Sequence, residues 1–146
     1  MVLETIVMLI GLDAYLYWIH RALHHYQIFK KIHSVHHVQY APIFHLTEFF
    51  CLWLLPILVT YLLGRPGLAI IVALAFAYEV VLTHRTIYST TNIAHKYLFR
   101  SVRLIVANAK YHKRHHDFPN CNYSQFFNVW DRLMKTTYEQ THPKPS

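Results

Sequence analysis

The chain has 146 residues, 54% of apolar type and only 14% charged, with fourteen Lys and Arg against seven Asp and Glu for a net charge of +7. A soluble domain carries about 25% charged residues, so the composition indicates a membrane protein, and the length indicates one domain over residues 1–146. Its two cysteines, Cys51 and Cys121, form no CxxC pair, which argues against a disulfide framework or a cysteine zinc site.

Residues 2–19 form the first apolar stretch. With no basic leader and no small-residue cleavage site, it is expected to stay in place as a first span rather than act as a signal peptide. Two further apolar stretches follow at 43–63 and 68–82. Each of the three is near the lower end of the roughly 17–25 residues that a spanning helix needs, and the third reaches it only with its flanks. The sequence "GRPG" at 64–67 is a turn signal that makes the second and third stretches a helical hairpin. Pro56 is expected to kink the second helix, which membranes tolerate.

Of the fourteen basic residues, Arg65 alone lies in the hairpin turn; the others fall between the first two stretches or after the third. The positive-inside rule makes those segments cytoplasmic and puts the N-terminus and the turn on the opposite side. Residues 97–109, "YLFRSVRLIVANA", read as a helix lying in the membrane interface. Beyond Asp117 the chain turns polar, Pro119 to Asn122 read as loop, and residues 130–134 as a further helical turn or two. The expected fold is therefore all-α: an integral membrane bundle of about three transmembrane helices with a helical cap on the cytoplasmic face.

All thirteen histidines fall near or beyond the cytoplasmic ends of these helices. His20 and His24 stand four apart, His33, His36 and His37 at i, i+3 and i+4, and His112, His115 and His116 repeat that spacing. On a helix each set shares a face. A lone histidine at a membrane interface is usually just an aromatic ring with a polar tip. Eight crowded at one pole would repel one another when protonated and cost desolvation when buried, so a shared cation accounts for them better. One ion with an open position takes five ligands at most, so eight imidazoles suit two ions. Imidazole binds zinc, copper, iron and nickel, and the spacing does not choose among them.

Ligating imidazoles usually pass their second N–H to a carboxylate or carbonyl. Asp13, Asp117, Asn122 and Asp131 are candidates for that role, the plain alternative for Asp131 being a solvent-facing carboxylate at a helix N-terminus. Glu79 lies inside the third apolar stretch, where carboxylates are costly and pair inward, with Arg85 or a histidine as its expected partner.

With glycine only at positions 11, 64 and 67, the chain can write neither GxGxxG, nor a P-loop, nor GxSxG. Any electrons must come from elsewhere. A non-enzymatic membrane metal-binding or metal-transport protein is the alternative, though ligands gathered at one pole do not form a path across a membrane. Haem ligation would need far fewer histidines. Nucleic acid is not an expected partner, because a cytoplasmic membrane face already accounts for the positive charge.

The order "DAYLYWIHRALHH", "KIHSVHH", "YHKRHHDFPNCNY" and "VWDRL" resembles the fatty acid hydroxylase/sterol desaturase superfamily of membrane-bound diiron oxygenases, over about residues 13–137. The resemblance implies iron ligands at His20, His24, His33, His36, His37, His112, His115 and His116, with His84 added and no catalytic residue beyond the ligands. It also implies that His45 and Glu48 act as a supporting pair. His25 and His95 could stand in for a neighbour, and His142 is expected to be a bystander. The implied activity is hydroxylation or desaturation of a lipid such as a fatty acyl chain or sterol, with dioxygen and electrons from a cytochrome b5-like protein, a ferredoxin or their reductase. Two iron ions are the implied cofactor, and zinc can displace ferrous iron at such nitrogen sites. The implied location is the endoplasmic reticulum in a eukaryote or the inner membrane in a bacterium. This chain departs from the superfamily at "WDRLMKT", where members commonly read phenylalanine-glycine-threonine after the leucine, and at Ser124, where a glycine is usual. Members also carry helices upstream of the first box, so a homodimer is expected to supply the missing wall of the pocket.

Overall fold

The computed structural model describes residues 2–26, 30, 31, 33, 34, 37, 49–78, 107 and 109–143, and all regular structure among them is helical. They belong to two compact units, Met1–Val80 and Val81–Ser146.

In the first unit, α1 runs over Val2–His25. Its buried positions Leu12, Asp13, Leu16, Tyr17, His20 and Leu23 recur at helical spacing and form one stripe. His20 thus sits on the inward face because it follows Leu12 and Leu16 by whole turns. Leu3, Ile6, Val7, Ile10 and Trp18 lie exposed on the remaining surface. Residues Leu3–His25, 23 in number with mean hydropathy 1.3, are long and apolar enough to cross a membrane. The second and third expected spans appear as shorter apolar helices, Leu52–Leu62 and Pro66–Ala77. Their expected extensions, 43–48 and 79–82, lie outside the described residues.

The second helix opens as a π-helical segment, Phe49–Leu54, before continuing as α2 over Leu55–Leu62. Pro56 explains the change: it has no N–H for the carbonyl four residues back, and its ring crowds that carbonyl, so a widened turn relieves the clash. The π-helical segment buries Leu52 and Trp53, and the Trp53 ring packs 5.5 Å from Phe76 of α3, Pro66–Tyr78.

The turn between α2 and α3 closes on Gly64, whose φ of 71° is the left-handed value that favours glycine. Its N–H donates to the Tyr61 carbonyl and the Arg65 N–H donates to the Thr60 carbonyl, both at 3.0 Å, which satisfies the last carbonyls of α2. Pro66 then starts α3 at a position that needs no N–H donor. Arg65 lies 3.6 Å from Glu4 in an exposed ion pair. Such a pair is worth at most about 1 kcal/mol. It does put the hairpin turn at the same end of this unit as the start of α1, as the charge pattern predicts.

In the second unit, α4 covers Ala109–Asp117, α5 Val129–Leu133 and α6 Tyr138–Thr141. A turn like the one at Gly64 ends α5: the Lys135 N–H donates to the Arg132 carbonyl and the Thr136 N–H to the Asp131 carbonyl. Here Lys135, not glycine, holds the left-handed conformation, with φ 56°. A side chain there is disfavoured by about 1–2 kcal/mol. Lys135→Gly is accordingly expected to stabilise the protein by about 1 kcal/mol, net of the added chain entropy of glycine, read as a higher thermal midpoint in detergent.

Candidate metal centre

The first two histidine boxes meet inside the first unit. His20 and His24 end the buried stripe of α1, and the helical residues around His33 and His37 bring two more imidazoles against them. The Nε2 atoms form a chain: His20 to His33 at 3.2 Å, His33 to His37 at 3.2 Å, and His37 to His24 at 3.3 Å. One potential ligand atom from each of the four lies within 4.8 Å of the others. His20 and His33 are buried, and His24 and His37 partly so.

Hydrogen bonding alone does not account for this chain. Each Nε2 carries either one proton or one lone pair in the ring plane. Four such atoms in a row can therefore satisfy at most two of the three contacts, with His33 and His37 each facing two neighbours. Lone pairs directed at one cation would satisfy all four. Nitrogens bound at about 2.1 Å to one ion stand about 3.0 Å apart at a right angle and about 3.4 Å apart at the tetrahedral angle. The observed spacings fall in that range, so these residues fit a metal ion.

The third box lies in the second unit on α4. His112 and His116 bring their Nε2 atoms to 2.9 Å, and the His115 ring lies 5.8 Å from His112 and 6.0 Å from His116. His112 and His115 are buried. His115 Nδ1 donates to the Cys121 carbonyl at 2.7 Å. Because a carbonyl only accepts, the proton is on Nδ1, and Nε2 of the neutral ring keeps its lone pair for a ligand bond.

Asp131 organises the loop that carries this carbonyl. Fully buried at the first turn of α5, it is no solvent carboxylate. Oδ1 accepts from the Tyr123 N–H at 3.0 Å and the Thr136 hydroxyl at 2.6 Å, and Oδ2 accepts from the Ser124 N–H and the Tyr111 hydroxyl, both at 2.8 Å. Asn122, buried at φ 58°, donates its side-chain N–H to the Tyr111 carbonyl at 3.2 Å and accepts from the Tyr138 N–H at 2.8 Å. Residues 121–124 are thus tied to α4, α5 and α6 together.

The other sequence candidates divide. Asp13 is buried on α1. Asp117 is exposed and paired with Lys113 one turn back, at 2.9 Å, so it faces solvent. His25 is exposed beside Tyr26, and His142 is exposed and stacked 4.7 Å from the Tyr138 ring. His36, His45, Glu48, Glu79, His84, Arg85 and His95 lie outside the described residues. Sequence reasoning missed the Cys121 carbonyl, Tyr111 and Thr136. A backbone acceptor leaves no mark in a sequence, and Tyr111 and Thr136 fall outside the residue types searched for ligand support.

Burial, followed by the Asp131 charge, holds the Tyr111 phenol far above its usual range. Burial likewise pushes the Cys121 thiol up from 9.0 to about 11. It therefore offers no thiolate at neutral pH, and the imidazoles are the ligands available around this loop. Iodoacetamide at pH 8 is expected to alkylate Cys121 about 100-fold more slowly than a thiol of ordinary pKa, read by peptide mass spectrometry. Because the folded value is the higher, this thiol's contribution to stability is intact below pH 9 and lost as pH rises toward 11.

A family model described as fatty acid hydroxylase matches residues 5–136. The chain is 30% identical over 140 residues to a methylsterol monooxygenase of Aspergillus fumigatus, covering 91% of this chain and 46% of the relative. It is 31% identical over 140 residues to the lathosterol oxidase of Homo sapiens, covering 91% and 44%. It is also 26% identical over 144 residues to a very-long-chain aldehyde decarbonylase of Arabidopsis thaliana, covering 86% and 22%. The chain spans less than half the length of these curated relatives. No solved structure matches it.

Proposed function

The chain belongs to the fatty acid hydroxylase family, and from that membership we propose that it is an integral membrane oxygenase acting on a C–H bond of a lipid. The observation that carries this reading is the chain of four Nε2 atoms from His20, His33, His37 and His24 at 3.2 to 3.3 Å, a spacing suited to ligands of one ion. Two iron ions held by the eight histidines of the three boxes are the proposed cofactor, with His84 as a ninth candidate.

When bound, iron supplies the redox chemistry that activates dioxygen toward a C–H bond. The protein's own part is to aim its imidazoles. His115 Nδ1 donates a hydrogen bond to the Cys121 carbonyl, which leaves Nε2 as the atom turned to a ligand bond. The buried stripe of α1 holds His20 next to the apolar packing around Leu16 and Tyr17, which limits water at that ring.

The apolar outer surface of α1 is proposed to face lipid, and α2 and α3, with the extensions expected from the sequence, to complete three spans. A lipid could then present a carbon at the membrane edge, with the boxes on the cytoplasmic side. A sterol or a long acyl chain is the proposed substrate class, supported by the likeness to a methylsterol monooxygenase, a lathosterol oxidase and a very-long-chain aldehyde decarbonylase. Overall, hydroxylation puts one oxygen atom of dioxygen into the lipid and the other into water, consuming two electrons and two protons. Desaturation removes two hydrogens from the lipid, and with two electrons and two protons again supplied from outside, both oxygen atoms leave as water. The electrons are proposed to come from an acidic carrier, such as a cytochrome b5-like protein or a ferredoxin with its reductase, drawn to the basic face. A homodimer is the proposed assembly.

The test is to purify the chain without oxygen, measure iron per polypeptide, and supply lipid extract, reductant and isotopically labelled dioxygen. Label in a lipid product is the expected result for a hydroxylase, and a new double bond without label is that for a desaturase. Metal movement across vesicles with no lipid product would overturn the enzyme reading.

A further inference from the structure

The helix of the second unit that carries the third histidine box is held to a short loop by a carboxylate that, among the described residues, bonds to no histidine. We propose that Asp131 is a positioning residue: through the backbone of residues 121–124 it fixes the Cys121 carbonyl against His115 Nδ1 and so sets that ring's tautomer and aim. This inference rests on the reading of His115 as a metal ligand.

Four observations carry it. Asp131 is fully buried and takes four donors, two of them the consecutive backbone N–H groups of Tyr123 and Ser124. Those amides lie two and three residues past Cys121, whose carbonyl is the acceptor at 2.7 Å from His115 Nδ1. The loop also has Asn122 at φ 58°, a conformation that a freed chain would readily leave. Finally, the Tyr111 hydroxyl, one residue before His112 on α4, donates to the same carboxylate, so loop and helix are held to one anchor. The Tyr123 ring packs 5.6 Å from the His115 ring and would move with the loop.

An ordinary supporting carboxylate accepts directly from the ligand imidazole. Here the carbonyl takes that place and the carboxylate acts one step behind it. The neutral carbonyl leaves the ring less basic than a carboxylate contact would, while the buried charge stays with the loop amides. Asp131→Asn keeps the size of the side chain but turns one oxygen into a donor facing either Tyr123 and Thr136 or Ser124 and Tyr111. The loop is expected to loosen, and the His115 Nδ1 proton to lose its fixed acceptor.

The test uses the full chain in detergent micelles, stripped of metal and labelled with 15N in histidine, with the His115 signal identified by its absence in His115→Gln. In the wild type His115 is expected as the Nδ1-protonated tautomer alone. Asp131→Asn is expected to give a mixture of both tautomers, and Thr136→Val, which keeps the carboxylate but removes one of its donors, a smaller shift in the same direction. A wild-type ring protonated at Nε2 would overturn the inference, as would an unchanged His115 tautomer in the folded variants. Where Asp131→Asn does not fold, Thr136→Val alone decides by the same criterion. A cobalt titration of the same samples is expected to show one binding step weakened about 10- to 100-fold in Asp131→Asn. If the wild type binds no cobalt or ferrous iron but the tautomer responds, the metal reading fails and the positioning role stands.

Discussion

His33→Ala is expected to abolish lipid oxidation and to reduce the iron retained per chain, with affinity at the first-unit site falling by more than about 100-fold, beyond the usual loss for a residue that only supports a ligand. His33 is singled out by its place in the cluster. Its Nε2 faces both His20 and His37 at 3.2 Å, whereas His24 and His20 each stand at an end of the chain. All four nitrogens face one proposed ion, but His33 is buried and His24 only partly so, and water replaces a lost ligand more readily at the more open position. Iron retention after reconstitution without oxygen should therefore fall further in His33→Ala than in His24→Ala. His25→Ala and His142→Ala, both exposed and outside the cluster, are expected to keep wild-type iron and turnover. Full turnover by His33→Ala would remove the basis for the metal site in the first unit. α1 should survive the change, since its buried stripe does not include residue 33.

Much of this site can be read from the sequence because helix periodicity converts spacing into direction. His20 and His24, His33 and His37, and His112 and His116 each stand four apart, and in each unit the four-residue partners face a common cluster. The membrane-crossing length of α1 is legible for the same reason: 23 residues of one apolar helix need no tertiary information. What is not legible depends on backbone groups and on turns. The Cys121 carbonyl could belong to any residue type, so nothing in "DFPNCNY" marks it as the acceptor for His115. Lys135 in a left-handed turn is invisible until the turn is seen, although its place in "WDRLMKT", where relatives commonly have glycine, is the one available hint. Asp131 could be noticed beside Trp130, but its four donors come from three separate segments, and only folding brings them together. Pro56 foretells a disturbance in the second helix but not that a π-helical segment will absorb it.

Asp131→Ala is expected to be the most damaging single change to the stability of the second unit, on the order of 4 kcal/mol, in the range reserved for disrupted buried networks. Truncation removes the carboxylate shared by the Tyr123 and Ser124 amides and the Tyr111 and Thr136 hydroxyls, in a place where Asp131 itself has no exposed surface. A hydrogen bond to a charged group contributes about 1.5–3 kcal/mol, but the four share one acceptor and one loop, so their losses do not add. Tyr111→Phe and Thr136→Val each delete one donor and leave the carboxylate three others, and each is expected to cost about 1–2 kcal/mol. Their double variant should cost less than the sum if both act through Asp131, and nothing extra in an Asp131→Ala background. Thermal or denaturant unfolding in detergent reads these costs, and exchange of the Tyr123 and Ser124 amides reads them locally. Slow exchange at those amides in Asp131→Ala would mean that the loop has another anchor.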